Sequence, residues 1–219
     1  MGLGFKVESG KWKVESGKWK VESGKARAFH FELSTFHCFL PQISSYDSGM
    51  KFSLRTIASK DAAEFWALRF EMLELEPFAY GRDLEDHADS TISDQVDRLE
   101  SLQNGDCAVG AWLDGELVGS AILRREAGRK FRHKANVFSV YVKPHARGRG
   151  IARAMMLEVI ARARLLDQVA QLQIGVMSTQ IAARAMYDSL GFEAWGCEPQ
   201  ALLIDGVFAD HTHMVLHLR

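Results

Sequence analysis

The stretch at residues 137–152 constrains the fold more than any other part of this chain. Val137–Val142 is a β-type run that ends at a proline, and a basic, glycine-rich turn follows it. Helix-forming residues begin directly after the turn, at Ile151. Glycine lets a backbone turn tightly and approach a ligand closely, and the first turn of a helix has unpaired N–H groups at the positive end of its dipole. The stretch therefore predicts a strand, a turn and a helix that together bind an anion, most often a phosphate.

Two common nucleotide-binding motifs do not fit this turn. A Walker A loop requires Gly-x4-Gly-Lys-Ser/Thr, which the turn lacks. A dinucleotide site has Gly-x-Gly-x-x-Gly and an acidic residue about 20 residues further on. Gly148 and Gly150 match the first two glycines, but Arg153 holds the sixth position and the next predicted strand, 171–177, has no acidic residue at its end. The expected ligand is therefore a different phosphate-bearing molecule.

The turn matches a third pattern. Arg147, Gly150 and Ala152 form Arg-x-x-Gly-x-Ala, which resembles the acetyl-CoA signature of the GNAT family of N-acetyltransferases, Arg/Gln-x-x-Gly-x-Gly/Ala. The segment 180–192, which contains Tyr187, resembles the second signature of that family, Asn-x2-Ala-x3-Tyr-x2-Leu-Gly-Phe. The resemblance extends over residues 51–218 and rests on motifs and their order, not on composition.

Composition agrees with one soluble domain. The chain has 219 residues, of which 47% are hydrophobic and 25% charged, and its net charge of −1 does not favour a nucleic-acid partner. Three widely spaced cysteines indicate a reducing compartment, and we expect a cytoplasmic protein. No apolar run approaches the length of about 18 residues that predicts a membrane span, so we expect no membrane partner.

Basic residues are concentrated around the turn. Residues 124–153 contain ten Lys or Arg and one acid, Glu126. This distribution is typical of a protein that binds the three phosphates of CoA, and an RNA-binding surface is the alternative. RNA recognition usually adds stacking aromatic side chains, and the nearby Phe138 alternates as a core residue would.

The N-terminal region is repetitive. Lys-Val-Glu-Ser-Gly-Lys-Trp occurs at residues 6–12 and again at 13–19, and a third copy stops before its tryptophan. The spacing of Val and Trp does not fit a coiled coil, and paired short strands built from these repeats would be marginal alone. We expect residues 1–49 to be a dispensable, mostly disordered extension, with Met50 as an alternative start of an acetyltransferase domain at 50–219.

The predicted elements follow the order β-α-α-β-β-β-α-β-α-β-β. Antiparallel strands come first and α/β units follow, which favours a mixed α/β sheet with helices on both faces. The resemblance implies the same topology, in which two parallel strands separate around the cofactor. Those strands would be the one that ends at Val142 and the one at 171–177. A single helix is expected over 84–103.

The resemblance also implies how acetyl-CoA binds. Pantetheine would pair with the backbone of the strand before the turn, and the pyrophosphate would accept hydrogen bonds from the turn and the helix N-terminus. Gln180 stands where the family usually has Asn, and its amide would contact the cofactor from a longer side chain. The expected cofactor-binding residues are Val140, Tyr141, Val142, Arg147, Gly148, Arg149, Gly150, Ile151, Ala152, Arg153 and Gln180.

Tyr187 is the expected catalytic residue. The family tyrosine at this motif position donates a proton to the departing thiolate, whose basicity is close to that of phenolate. Neither separating strand contains the acidic residue that serves some relatives as general base. An ordered water, or an acid near the first helix such as Glu76, are the alternatives for that role.

The acceptor site is the least defined. The resemblance places it beside the first two helices, where we expect Glu76 and Tyr80 to contact the amine. Residues 71–94 contain eight acids, which would favour a cationic amine, although a solvated helix face explains them equally well. His211, His213 and His217 share one face of the last strand, but their linear spacing does not predict a metal site.

The sequence therefore predicts an N-acetyltransferase that moves an acetyl group from acetyl-CoA to a primary amine, cationic in one reading, by direct attack in a ternary complex. The acceptor would be a small molecule or a peptide, with no metal involved, and the protein would be a monomer or a homodimer. A non-catalytic acyl-CoA-binding regulatory module is the alternative.

Overall fold

The computed structural model describes residues 12–15, 18–21 and 52–219. In the first part, Trp12–Glu15 and Lys18–Val21 form strands β1 and β2, which pair antiparallel. The other residues of the expected extension lie outside the described ranges. That residues 1–49 are dispensable and mostly disordered, and that Met50 is an alternative start, therefore stay predictions.

Residues 52–219 form one sheet with helices on both faces. The strand order is β3-β4-β5-β6-β7-β9-β8, and every neighbouring pair is antiparallel except β6 and β7. The elements are β3 (Phe52–Thr56), α1 (Ala62–Leu75), α2 (Leu84–Ala88), α3 (Ile92–Glu100), β4 (Cys107–Leu113), β5 (Glu116–Arg125), β6 (Lys134–Val142), α4 (Ile151–Leu165), β7 (Gln171–Met177), α5 (Ile181–Ser189), β8 (Glu193–Ile204) and β9 (Val207–His217).

Two apolar clusters hold the helices against the sheet. Helix α1 buries Phe65, Leu68 and Met72 against one face, together with residues of β4 and β5. Helix α4 buries Met155 and its apolar neighbours on the larger cluster, which extends along β4 to β7 and includes Tyr187. Because neighbouring strand residues point to opposite faces, one set of strands can supply both clusters. The predicted mixed sheet with helices on both faces is confirmed.

The parallel strands β6 and β7 separate part of the way along. Their pairing runs from Lys134 opposite Gln171 to Val137 opposite Ile174 and ends there. Strand β6 also has an irregularity against β5, where Ser120 lies opposite Tyr141 and Ile122 opposite Phe138. Two residues of β6, 139 and 140, therefore face one residue of β5. Such a bulge bends a strand, and here it accompanies the opening between β6 and β7.

The single helix expected over 84–103 is wrong, because the chain forms α2 and α3 instead. The Thr91 hydroxyl accepts a hydrogen bond from the N–H of Asp94, and the Asp94 carboxylate accepts one from the N–H of Thr91. This reciprocal cap starts a new helix and interrupts the old one. No helix among the described residues is long and apolar enough to cross a membrane.

Candidate active site

A cavity of about 400 Å³ occupies the opening between β6 and β7. Its walls are residues 136–140 of β6 and 173–177 of β7, closed by side chains from the helix connections and from β8 and β9. Five of those side chains matter for chemistry: Tyr80, Gln180, Tyr187, Glu198 and His211. We call this cavity the cleft.

The glycine-rich turn has the conformation that an anion site requires. Gly148 and Gly150 have φ values of 74° and 75°, in the left-handed region that favours glycine. Gly150 is the N-cap of α4, no side chain caps that helix, and the first bond within it runs from Ala154 N–H to the Gly150 carbonyl. The N–H groups of residues 151–153 consequently have no acceptor within the helix. This conformation suits an anion site, and that the turn binds the pyrophosphate of acetyl-CoA stays a prediction.

The three arginines of the turn differ in their surroundings. Arg147 points back along β6, where its Nε donates to the Val142 carbonyl at 2.9 Å and a terminal nitrogen lies 3.0 Å from the Glu76 carboxylate. Arg153 is exposed and donates to the Ser189 hydroxyl at 2.9 Å. Arg149 is half-buried in the turn. Charge for a phosphate therefore comes from Arg149 and Arg153 more directly than from Arg147.

The strand segment expected to pair with pantetheine is partly occupied by side chains of the protein. The Tyr80 hydroxyl donates to the Val140 carbonyl at 2.8 Å, and the Arg147 guanidinium donates to the Val142 carbonyl. The Tyr141 side chain turns away from the cleft and donates to Glu71 at 2.9 Å. Beyond Val137 this segment has no partner on β7, which leaves its edge open toward the cleft.

Tyr187 lies in the wall of the cleft on α5. Its side chain is only 4% exposed, and its ring packs against Phe192 at a centroid distance of 6.0 Å. Burial raises the pKa of the Tyr187 phenol above its ordinary value. The hydroxyl therefore keeps its proton throughout the physiological pH range, which suits a proton donor.

Glu76 is engaged by other side chains. It forms an ion pair with Arg147 at 3.0 Å, and its second oxygen lies 3.4 Å from the Gln180 amide. Gln180 reaches the cleft and Glu76 is not part of its wall. Because both oxygens of Glu76 are engaged by other side chains and the residue lies outside the cleft wall, this geometry does not favour Glu76 for amine deprotonation.

His211 enters the cleft from β9, and sequence reasoning did not separate it from its neighbours. Its imidazole lies over Gly175 of β7, and its ring centroid is 4.5 Å from that of His213. Burial lowers the pKa of His211, and the nearby His213 lowers it further. His217, at the far end of the strand, is exposed. His211 is thus a neutral imidazole inside the cleft.

One more group joins these histidines. Ligand-type atoms of Glu198, His211 and His213 lie within 4.8 Å of one another, and Glu198 is 3.8 Å from Nε2 of His213. Glu198 is exposed and pairs with His213, so the three groups form a chain of ionisable side chains that leads from the cleft to solvent. That no metal takes part in the reaction stays a prediction.

Residues 66–192 match the model of the acetyltransferase (GNAT) family. The matched segment contains the glycine-rich turn, both separating strands and Tyr187. This chain belongs to the GNAT family. The family expected from the sequence is therefore confirmed. The GNAT family uses acetyl-CoA, and the chain is an acyltransferase.

Solved structures share the fold. A ribosomal-protein-alanine N-acetyltransferase from Brucella melitensis is 26% identical, with a TM-score of 0.66 over 75% of this chain and 98% of that one. A GNAT phosphinothricin acetyltransferase from Sinorhizobium meliloti, in complex with acetyl-CoA, is 23% identical, with a TM-score of 0.68 over 77% of this chain and 89% of that one.

A curated relative is similar over a shorter length. An N-acetylaspartate synthetase from Xenopus tropicalis is 29% identical over 106 residues. The match covers 48% of this chain and 38% of the length of that protein. The names of these relatives point to different acceptors, so they do not indicate one acceptor for the chain.

Proposed function

We propose that this protein transfers the acetyl group of acetyl-CoA to the primary amine of a small molecule or peptide, by direct attack within a ternary complex. The observation that carries the proposal is the opening between β6 and β7, with the anion-binding turn at one end and Tyr187 in its wall. Donor and acceptor can meet there without a covalent enzyme intermediate.

The cleft residues divide the reaction among them. Acetyl-CoA supplies an activated thioester. A backbone N–H of the segment 140–142 would polarise the thioester carbonyl, as oxyanion-type donors do. As the amine nitrogen bonds to that carbon and the carbon–sulfur bond breaks, the Tyr187 hydroxyl gives its proton to the sulfur. The phenol is reprotonated from water.

His211 is the proposed general base. The attacking amine must lose a proton, and the strands β6 and β7 contain no carboxylate that could accept it. His211 is neutral, lies in the cleft and contacts His213, which pairs with Glu198 at the surface. Tyr80, Tyr187 and Glu198 also line the cleft. The two tyrosines stay protonated, and Glu198 is exposed and pairs with His213.

Substitution of Tyr187 by Phe tests the acid. The ring and its packing on Phe192 are kept, so the fold should persist. We expect kcat to fall by about 100-fold or more, the usual contribution of a positioned acid. The thermal shift produced by acetyl-CoA should remain that of the wild type. Full turnover by Y187F would remove Tyr187 from this role.

A pH profile tests the base. Because the pKa of His211 is lowered below its ordinary 6.5, kcat/KM of the wild type should rise with pH through the acid range and reach a plateau below neutrality. His211→Gln should lower the rate by about 100-fold and alter this limb. His217→Gln, at the exposed end of the same strand, should leave both unchanged. An unaltered acid limb in H211Q would contradict the assignment.

A further inference from the structure

Arg69 is a buried arginine with few partners. It is 4% exposed on the inner face of α1, and one terminal nitrogen donates to the Ser139 hydroxyl at 2.8 Å. Its Nε atom is buried without a hydrogen-bond partner. Within residues 52–219, no carboxylate forms a salt bridge with it. A buried charge without a counter-ion is costly, so its retention requires an explanation.

The charges around Arg69 are also positive. Burial, together with the smaller effects of the nearby Arg98 and Arg82, lowers the pKa of Arg69 to about 10. The same three arginines help to lower the pKa of the buried His87. Arg98 is half-buried, and Arg82 donates to a backbone carbonyl. Of these three arginines, Arg69 is therefore the buried one, and its nearest charged neighbours on this side are cations.

Arg69 lies directly behind the wall of the cleft. Its partner Ser139 is the bulge residue of β6, with a φ of 53°, and it lines the cleft. The next carbonyl of the strand, that of Val140, is held by Tyr80. Tyr80 and Gly81 line the cleft and precede Arg82 in the chain. Neither arginine is part of the lining itself, but each adjoins a residue that is: Arg69 contacts Ser139, and Arg82 follows Gly81 in the chain.

Four of the eight acids at residues 71–94 are engaged elsewhere. Glu71 pairs with Lys143 at 3.4 Å and accepts from Tyr141, and Glu76 pairs with Arg147. The carboxylates of Asp83 and Asp94 cap the helices α2 and α3. The other four, Glu74, Glu85, Asp86 and Asp89, are exposed, and none of the eight is among the residues that line the cleft. This placement weakens the argument for a cationic acceptor.

We propose that the acceptor carries a carboxylate in addition to its amine, and that Arg69, with Arg82, receives this carboxylate at the cleft. The inference rests on the proposed acetyl transfer and narrows its substrate class to amino acids or similar amino-carboxylates. A carboxylate would satisfy the guanidinium in the bidentate geometry that arginine favours. The amine end of such a molecule would then face His211 and the donor.

Matched acceptors test the proposal on the wild-type protein. The twenty L-amino acids, their carboxamides and spermidine are assayed with acetyl-CoA by thiol release. We expect at least one amino acid to be acetylated with a kcat/KM about 100-fold above that of its own amide, the scale of a lost buried charge pair. Equal rates for amino acids and amides, or acetylation of spermidine alone, would overturn the proposal.

Variants and direct binding separate this inference from the proposed function. Arg69→Gln should reduce kcat/KM for the amino acid about 100-fold and leave that for its amide unchanged. Arg164→Gln, an exposed arginine on α4, is the control. Calorimetric titration of amino acids into the CoA-bound protein reports binding without turnover. If R69Q abolishes the binding of amino acids, the carboxylate site is supported even when no amine is acetylated. If neither R69Q nor Arg82→Gln changes that binding, the carboxylate site is refuted.

Discussion

Gly175 shows how a single residue shapes the cleft. It lies on β7 just beyond the last pair with β6, and a Cβ atom at this position would overlap Nε2 of His211. The absence of a side chain therefore lets the imidazole lie against the strand. The φ of Gly175 is an ordinary extended one, so its conformational freedom is not the reason for glycine here. The reason is the close approach of His211.

Gly175→Ala should consequently impair catalysis more than stability. The overlapping atoms belong to the end of a rotatable side chain, so His211 can move aside and the fold should persist. We expect kcat to fall at least tenfold because the base is displaced. A positioned general base contributes about 100-fold or more to the rate, so the loss of part of this factor is measurable. The melting temperature and the acetyl-CoA thermal shift should stay close to those of the wild type.

Gly196→Ala is the matched control for this prediction. Gly196 is also a strand glycine, but a Cβ atom there would meet nothing within 4 Å. It should behave like the wild type in every assay. A G175A variant with normal kcat would show that the position of His211 does not matter for turnover.

At the scale of elements, the turn before α4 couples stability to donor binding. Gly150 holds the left-handed conformation that ends the turn and begins the helix, with the unpaired N–H groups just beyond it. Side chains other than glycine are strained in this region. A change here therefore affects both the backbone energy and the direction of the anion-binding groups.

Gly150→Ala should lower the free energy of unfolding by about 1 kcal/mol and raise the Kd for acetyl-CoA about tenfold. Gly206→Ala provides the comparison, since Gly206 has a φ of 78° in the turn between β8 and β9 and is equally open to solvent. It should lose similar stability and keep its affinity. Denaturation and calorimetric titration measure the two quantities, and equal affinity losses in both variants would contradict the site.

At the scale of the whole molecule, a buried ion pair stabilises the junction of β3 and α1. Asp61 is only 7% exposed at its side chain and accepts from both terminal nitrogens of Arg55, at 2.7 and 2.9 Å. It also accepts from the N–H of Ala58. Hydrogen bonds from Arg55 are the main cause that lowers the pKa of Asp61 below its ordinary 3.8.

This contact makes stability depend on pH with a defined sign. Because the folded pKa lies below the unfolded one, the stabilisation is complete above about pH 4 and is lost as the pH falls through the folded pKa. Asp61→Asn should lower the free energy of unfolding by about 1–3 kcal/mol at pH 7, with a smaller difference at pH 3. Urea denaturation at both values measures it. Asp114→Asn, which replaces an exposed carboxylate in a hairpin turn, is the control. A pH-independent loss in D61N would contradict the linkage.

The N-terminal extension gives a second prediction at this scale. Removal of residues 1–49 should leave kcat and the melting temperature unchanged, because the family match begins at residue 66 and the sheet at Phe52. Activity and thermal unfolding of the shortened chain check this. Loss of either would show that the repeats contribute to the acetyltransferase domain.

The sequence by itself determined the local conformation of the segments that we assign to the donor. The turn at 147–152 and the motif around Tyr187 depend on glycine conformations, unpaired N–H groups and helix starts, which are properties of neighbouring residues. Helix and strand ends also depend mainly on neighbouring residues, which explains why most of them could be predicted. The break at Thr91 was missed because a capping pair within a polar, helix-like segment competes with helix continuation.

Only the tertiary structure decided the acceptor side. Three contacts join residues that are far apart in the sequence. Glu76 pairs with Arg147, and His211 lies over Gly175. Arg69 donates to Ser139. One local signal existed for Arg69, which continues the spacing of Phe65, Leu68 and Met72 on the buried face of α1. Its partners depend on strand pairing and on the bulge in β6, and neither produces a spacing that can be read from the chain alone.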